Sequence, residues 1–209
     1  MPLLQSPTHL TGSRARAWAG IAGPAAFIAA WGVLGATRGG YSPINDPISR
    51  LAEIGSPTRP VMTAALLTFA AGVMAYVPVL RLRFPGSAAR AATVTALATV
   101  GIAVAPLGGR GGDEVHGLVA GIAYVGWAAM PLLAGRAQLD RGERTAATVS
   151  IGAGLAITVA LATSVVQPDR TGLTQRLGLT IGDLWFMASA AADVRSATSR
   201  RERAVVVGG

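Results

Sequence analysis

Long apolar runs and short polar breaks alternate along this chain until six runs have passed. Ala17–Thr37 is free of charge for 21 residues. Pro60–Leu80, Ala91–Gly109, Val115–Gly135, Thr145–Val166 and Leu177–Ala192 follow, parted by arginine-bearing connections. About 20 apolar residues cross a hydrocarbon core of about 30 Å as a helix. The runs show no period-two alternation and are too long for buried strands, so helices are expected throughout. The first run exceeds the apolar region of a secretory signal and is read as a retained span. The pattern predicts an all-α fold, a polytopic membrane bundle of six transmembrane helices over residues 17–192. A disordered cytoplasmic tail (1–16) and a basic cytoplasmic tail (193–209) flank it. Pro24, Pro78, Pro106 and Pro131 lie in or near span ends, where they kink helices rather than forbid them.

Composition supports the membrane reading. Hydrophobic residues make up 51% of the 209 and charged residues only 13%, with a mean hydropathy of +0.48. A soluble domain carries about 25% charged residues, so this chain lacks the polar surface for solubility. All 18 basic residues are arginine, which removes Schiff-base and P-loop lysine chemistry. Cysteine is absent, so disulfides and thiolate metal sites are excluded. The net charge of +8 is spread between apolar runs, which points to an anionic membrane surface and not to nucleic acid. Localisation as a multi-pass protein of the cell membrane follows. Nothing in the pattern fixes an oligomeric state.

The arginines also orient the bundle. Twelve lie in the two tails and the second and fourth connections, against six in the others, so both termini are expected in the cytoplasm. The first, third and fifth connections then share the extracytoplasmic side, and they hold the unusual residues. Foremost is Tyr41–Pro60, YSPINDPISRLAEIGSPTRP. Asp46 is held extended by Pro47. Its structural reading is an N-cap for a short interfacial helix over Ile48–Ile54 closed by Gly55. Its functional reading is a carboxylate presented from a stiff lid over a shared outer pocket.

Further candidates come from the other two connections. Asp113 and His116 share a helix face at the start of the fourth span, as a cap and an interfacial histidine or as a reacting pair. Asp183 lies inside the sixth run, where an ionisable residue normally faces the bundle and has a role. Arg176 stands two turns earlier as its partner or as an anion anchor. Asn45 and Gln175 add polar contacts. Trp31, Trp127, Trp185 and Tyr41 offer aromatic faces to a substrate or, as a default, to the bilayer interface. Gly117 and Gly121, and Gly178 and Gly182, have the small-xxx-small spacing of close helix contacts. No metal is expected. There are two histidines, one of them His9 in the tail, whereas catalytic zinc takes three protein ligands. No cofactor is implied, and the signatures of seryl hydrolases, P-loop proteins and zinc proteases are absent.

Three segments carry a resemblance. With Y-S-P-I-N-D-P-I-S-R-L after the first span, D-x-x-H-G opening the fourth and G-L-x-Q-R opening the sixth, the chain resembles the six-helix prokaryotic membrane proteins grouped as the domain of unknown function 998 family. The likeness runs from about Trp18 to Ala192 and implies the fold. In size and helix layout the chain is also similar, more distantly, to small actinobacterial membrane-bound terpene cyclases. That likeness implies a membrane enzyme acting on a lipidic or prenylated small molecule by protonation-initiated cyclisation. No residue is carried over from it. On the chemistry alone, Asp46, Asp113 and Asp183 are the acid and base candidates, with His116 as base or orienting partner. A lipid-binding scaffold or small transporter is the alternative.

Overall fold

Charge-free runs fold as helices here because a helix satisfies its own backbone in lipid. The computed structural model describes residues 7–110 and 112–207, apart from the side chains of 7–11, 197 and 200–207. Six helices are long and apolar enough to cross a membrane. They are α1 (Pro7–Thr37), α2 (Arg59–Arg83), α3 (Ser87–Val104), α4 (Gly112–Asp140), α5 (Arg144–Val166) and α6 (Thr171–Val207). Among the described residues there is no strand. The protein is a multi-pass membrane protein, and six crossings leave the two ends of its chain on one side. That side is called the terminal end below, and the other the lid end.

Each helix packs on its neighbours in sequence, and α6 closes the ring on α1. The outer faces of the ring stay apolar and exposed, as at Val33, Leu67, Leu118, Val159 and Leu184, because their solvent is lipid. α1 and α2 approach through glycine: a Cβ on Gly72 would lie 2.6 Å from the Ala19 carbonyl oxygen and 2.8 Å from the Gly23 Cα. The centre is filled by a ladder of rings. Phe27 meets Phe69, Phe69 meets Trp127, Trp127 meets Phe186 and Phe186 meets Tyr76, with centroids 5.2–5.3 Å apart. Such tilted and edge-on contacts suit the ring quadrupole.

Helix limits differ from the apolar runs where other forces act. Residues 7–16 belong to α1; residues 1–6 lie outside the described residues. α6 continues through the basic tail to Val207, a stretch with four arginines, which favour helix. In the other direction α3 stops at Val104, short of the expected Gly109. Pro106 bars Ala105 from helical geometry.

Candidate functional site

At the lid end, residues 38–58 fold back over the bundle and are tied to α6. Their centre is a short 3-10 helix, Ile48–Ala52, with Ile48, Leu51 and Ala52 buried. Arg176 makes most of the tie. It is 8% exposed, and its Nη1 donates to the carbonyls of Pro43 (2.6 Å), Asp46 (3.1 Å) and Gly172 (2.8 Å). Its Nη2 donates to the Tyr41 hydroxyl, and the guanidinium lies over the Trp31 and Tyr41 rings at 5.5 and 5.4 Å. A planar fork with aromatic partners is what distinguishes arginine from lysine. Burial raises the Tyr41 phenol above its usual range against the opposing pull of Arg176. The phenol therefore keeps its proton and donates to the carbonyls of Asp46 and Pro47. Gln175 adds a second tie, its Oε1 accepting the Ile48 amide at 2.6 Å.

The lid reaches α6 this closely because Gly172 has no side chain. A Cβ there would crowd the Asp46 carbonyl and stand 2.7 Å from that of Pro43. Asp46 is not the helix cap expected from sequence. The 3-10 helix has no side-chain cap; the Asp46 Oδ2 accepts the Ser42 amide at 2.8 Å, and its Oδ1 faces Arg50 Nε at 3.5 Å. Pro47 is itself extended (φ −65°, ψ 154°), and the Asp46 carboxylate, bonded to Ser42, turns back on its own loop. Asn45 is exposed at the rim, its amide bonded to Ser42 Oγ.

Beneath the lid lies a cavity of about 60 Å³. Its walls are mainly apolar, from Phe27, Leu66, Phe69, Ala120, Trp127 and Leu179, and Ile48 and Ser49 of the lid close it. Thr95, Thr99, His116, Tyr124 and Gln175 supply the polar groups. His116 is 5% exposed, and its Nδ1 lies 2.8 Å from the Ala105 carbonyl. A carbonyl only accepts, so Nδ1 is the donor in this contact, and Nε2 is left for the cavity. Thr95 and Thr99 are less available, since their hydroxyls bond the carbonyls of Ala123 and Thr95.

The structure thus brings His116, Trp127 and Gln175 to one cavity, and Tyr41, Trp31, Asp46 and Arg176 to one clamp above it. Asp113 stands apart. It is exposed at the start of α4 and accepts the Gly108 amide at 2.9 Å, shaping the α3–α4 connection. Trp185 is buried between α6 and α5, where its Nε1 bonds Ser150 Oγ at 3.0 Å. Asp183 is fully buried with neither carboxylate oxygen bonded; it does not line the cavity, and Arg176 is engaged with the lid. Trp127 Nε1 is likewise unbonded, and its ring presses on Gly182, the residue before Asp183. No cluster of metal-ligating side chains occurs among the described residues. Ser49 and Gly172 were not singled out by sequence. The available signal for Gly172 was a glycine at a span's start, four residues before a buried arginine.

The motif-bearing segments are the ones that build the lid, the cavity wall and the clamp, and comparison with known families agrees. The description "Protein of unknown function (DUF998)" matches residues 21–192. The chain belongs to that family. Within this DUF998 protein the matched span takes in four crossings whole and most of the first and last, with the lid and the cavity. No curated protein and no solved structure matches it, so kinship with terpene cyclases has no support beyond size and helix layout.

Proposed function

We propose that this protein handles a lipidic molecule, an isoprenoid or an acyl chain, in the cavity under its lid. The observation that carries the reading is the cavity itself: apolar walls inside a membrane bundle, few polar groups, and a roof tied down from one helix. Ligand sites of this kind are mainly apolar with a few polar groups that fix orientation. Here Gln175, Tyr124 and the free Nε2 of His116 would hold a hydroxyl or other polar head. Sites for drug-sized ligands measure about 300–1,000 Å³, well above 60 Å³, so the lid must lift to admit one. The arginine balance orients the lid away from the cytoplasm, and the ligand then enters from the outer leaflet. Native mass spectrometry of protein extracted in mild detergent tests this. A retained lipid that disappears in Ala120→Trp, which fills the cavity, is expected. Equal retention by both proteins would sink the reading.

A second reading, a protonation-initiated terpene cyclase, draws on Asp183. Such an enzyme needs an acid to protonate an alkene or epoxide, aromatic faces to shelter the cation, and a base to take the proton back. A buried carboxyl without partners suits the first part, but Asp183 stands outside the cavity and would need the opened lid or a helix shift to reach it. The rings of Phe27, Phe69 and Trp127 suit the second part and His116 the third. Asp46 and Asp113 are weaker candidates, since both serve loop amides. Membranes incubated with prenylated substrates decide it. Turnover that survives Asp183→Asn and His116→Ala would exclude this assignment.

A further inference from the structure

The terminal end carries a second feature, independent of the lid cavity. From residue 54 to 112 the chain has no acidic residue, and within that stretch the end of α2 turns sharply into α3. Arg81, in the last turn of α2, and Arg90, in the first turn of α3, both line a groove of about 400 Å³ across this turn. Gly86, Ala89, Val77 and Thr93 complete it. Both arginines are exposed, and neither has a hydrogen bond or ion pair among the described residues. Their neighbours differ. Arg83 donates to the Ser189 carbonyl (3.1 Å) and Asp193 (3.5 Å) and lies over Phe84. Arg141 is bonded to Glu143 at 2.8 and 3.2 Å and covers the same ring.

We propose that this groove binds the phosphate of an anionic lipid headgroup. Two guanidiniums on separate helices converge on it, and each presents a planar fork suited to phosphate. The first turn of α3 adds to the field: it begins at Gly86 with no side-chain cap, leaving its amides and positive dipole end open at the same turn. Gly86 has φ +99° and open space where a Cβ would stand, so the backbone itself forms part of the floor. The occupant is a lipid rather than a free anion because of what lies beside the groove. Met74 on α2 and Val94 and Leu97 on α3 are exposed apolar side chains. They give acyl chains a path along the bundle while the phosphate stays at the arginines. Basic pockets between transmembrane helices on the arginine-rich side are suited to such headgroups.

The experiment uses full-length protein in mild detergent, titrated with phosphatidylglycerol or phosphatidylcholine and read by native mass spectrometry and thermal melting. The expected result is preferential binding of phosphatidylglycerol and a raised melting temperature. R81Q/R90Q should weaken that binding about thirtyfold, from the usual contribution of two basic side chains near a membrane surface. R81K/R90K, which keeps the charges, should retain most of it. R136Q, the loss of another exposed arginine outside the groove, should change affinity by no more than about fivefold, the usual contribution of one basic side chain near the surface. An equal loss in R136Q and R81Q/R90Q would overturn the site. Inorganic phosphate stabilising the protein as well as phosphatidylglycerol does would overturn the lipid assignment.

Discussion

Arg176 at the lid end and Arg81 at the terminal end are the same residue type, each within the first or last turns of a membrane helix, and they do opposite things. Arg176 is buried, and its donors are consumed by three carbonyls and a phenol, with aromatic rings on its faces. Arg81 is exposed beside an open groove with no bonded partner among the described residues. A cation surrounded by main-chain carbonyls has its desolvation repaid inside the protein and holds structure together. A bare cation beside a groove keeps its interaction energy for something that arrives. Residue type alone separates neither case; the count of satisfied donors does.

The comparison breaks most sharply if Arg176 is removed. Arg176→Met should cost about 3 kcal/mol, because hydrogen bonds to a charged group each contribute about 1.5–3 kcal/mol and polar groups of the lid are left unmatched. Urea unfolding in detergent measures the loss, and trypsin cleavage at Arg50 should quicken as the lid frees. Arg176→Lys should recover less than half, since a single ammonium cannot serve the carbonyls and both rings. Arg81→Met, by contrast, should leave the midpoint within about 0.5 kcal/mol in a neutral detergent, as expected for a surface substitution. A stable, protease-resistant Arg176→Met protein would mean that the clamp is not what holds the lid.

The small-residue pairs give the next test, of intermediate size. A Cβ on Gly182 would collide with the Trp127 indole, with Cε2 at 2.9 Å, and on Gly178 it would meet Ala160 Cβ at 3.1 Å. Around Gly117 and Gly121 nothing lies within 4 Å. Both pairs have the same spacing, yet only the α6 pair faces another helix. Gly182→Ala should therefore destabilise by about 2 kcal/mol through overpacking. Gly117→Ala should be neutral or gain up to about 1 kcal/mol, as alanine does over glycine in a helix. Equal effects at the two positions would refute the packing argument.

The same glycines show how far the sequence could be read. Six spans were legible because apolar length, charge-free in five of them and broken by Asp183 in the sixth, is a property of single runs. The lid was legible as an oddity, from prolines and charges where a plain connection would do. What converges was not. Gly178 and Gly117 carry the same pattern, and only the rotation of each helix decides which one meets a neighbour. The cap reading of Asp46, one of two, rested on Asp-Pro-Ile, whereas the loop found a nearer amide at Ser42. Arg176 was read as a partner of Asp183 or as an anion anchor, but two of its three carbonyl partners lie 130 or more residues away. The arginine's place at the start of an apolar run was still a usable sign, since burial there demands several acceptors. Asp193 was missed for a related reason. It sits at the seam between span and tail, and its role is visible only once Tyr76 Oη donates to it at 2.5 Å beside Arg83.

The smallest expected effect lies within the lid, where the anion should matter far less than the cation. Asp46 is partly exposed, and its ion pair with the half-exposed Arg50 spans 3.5 Å. Pairs of that kind contribute about 0–1 kcal/mol. The larger part of its role is the bond to the Ser42 amide, which an asparagine oxygen can also accept. Asp46→Asn should therefore cost less than about 1 kcal/mol in unfolding experiments, set against about 3 for Arg176→Met. The retained lipid should be unchanged, because the carboxylate turns toward its own loop and away from the cavity walls. If Asp46→Asn kept its stability but lost the lipid or a cyclisation product, the carboxylate would have to swing inward when the lid opens. The lid would then be part of the chemistry and not only its cover.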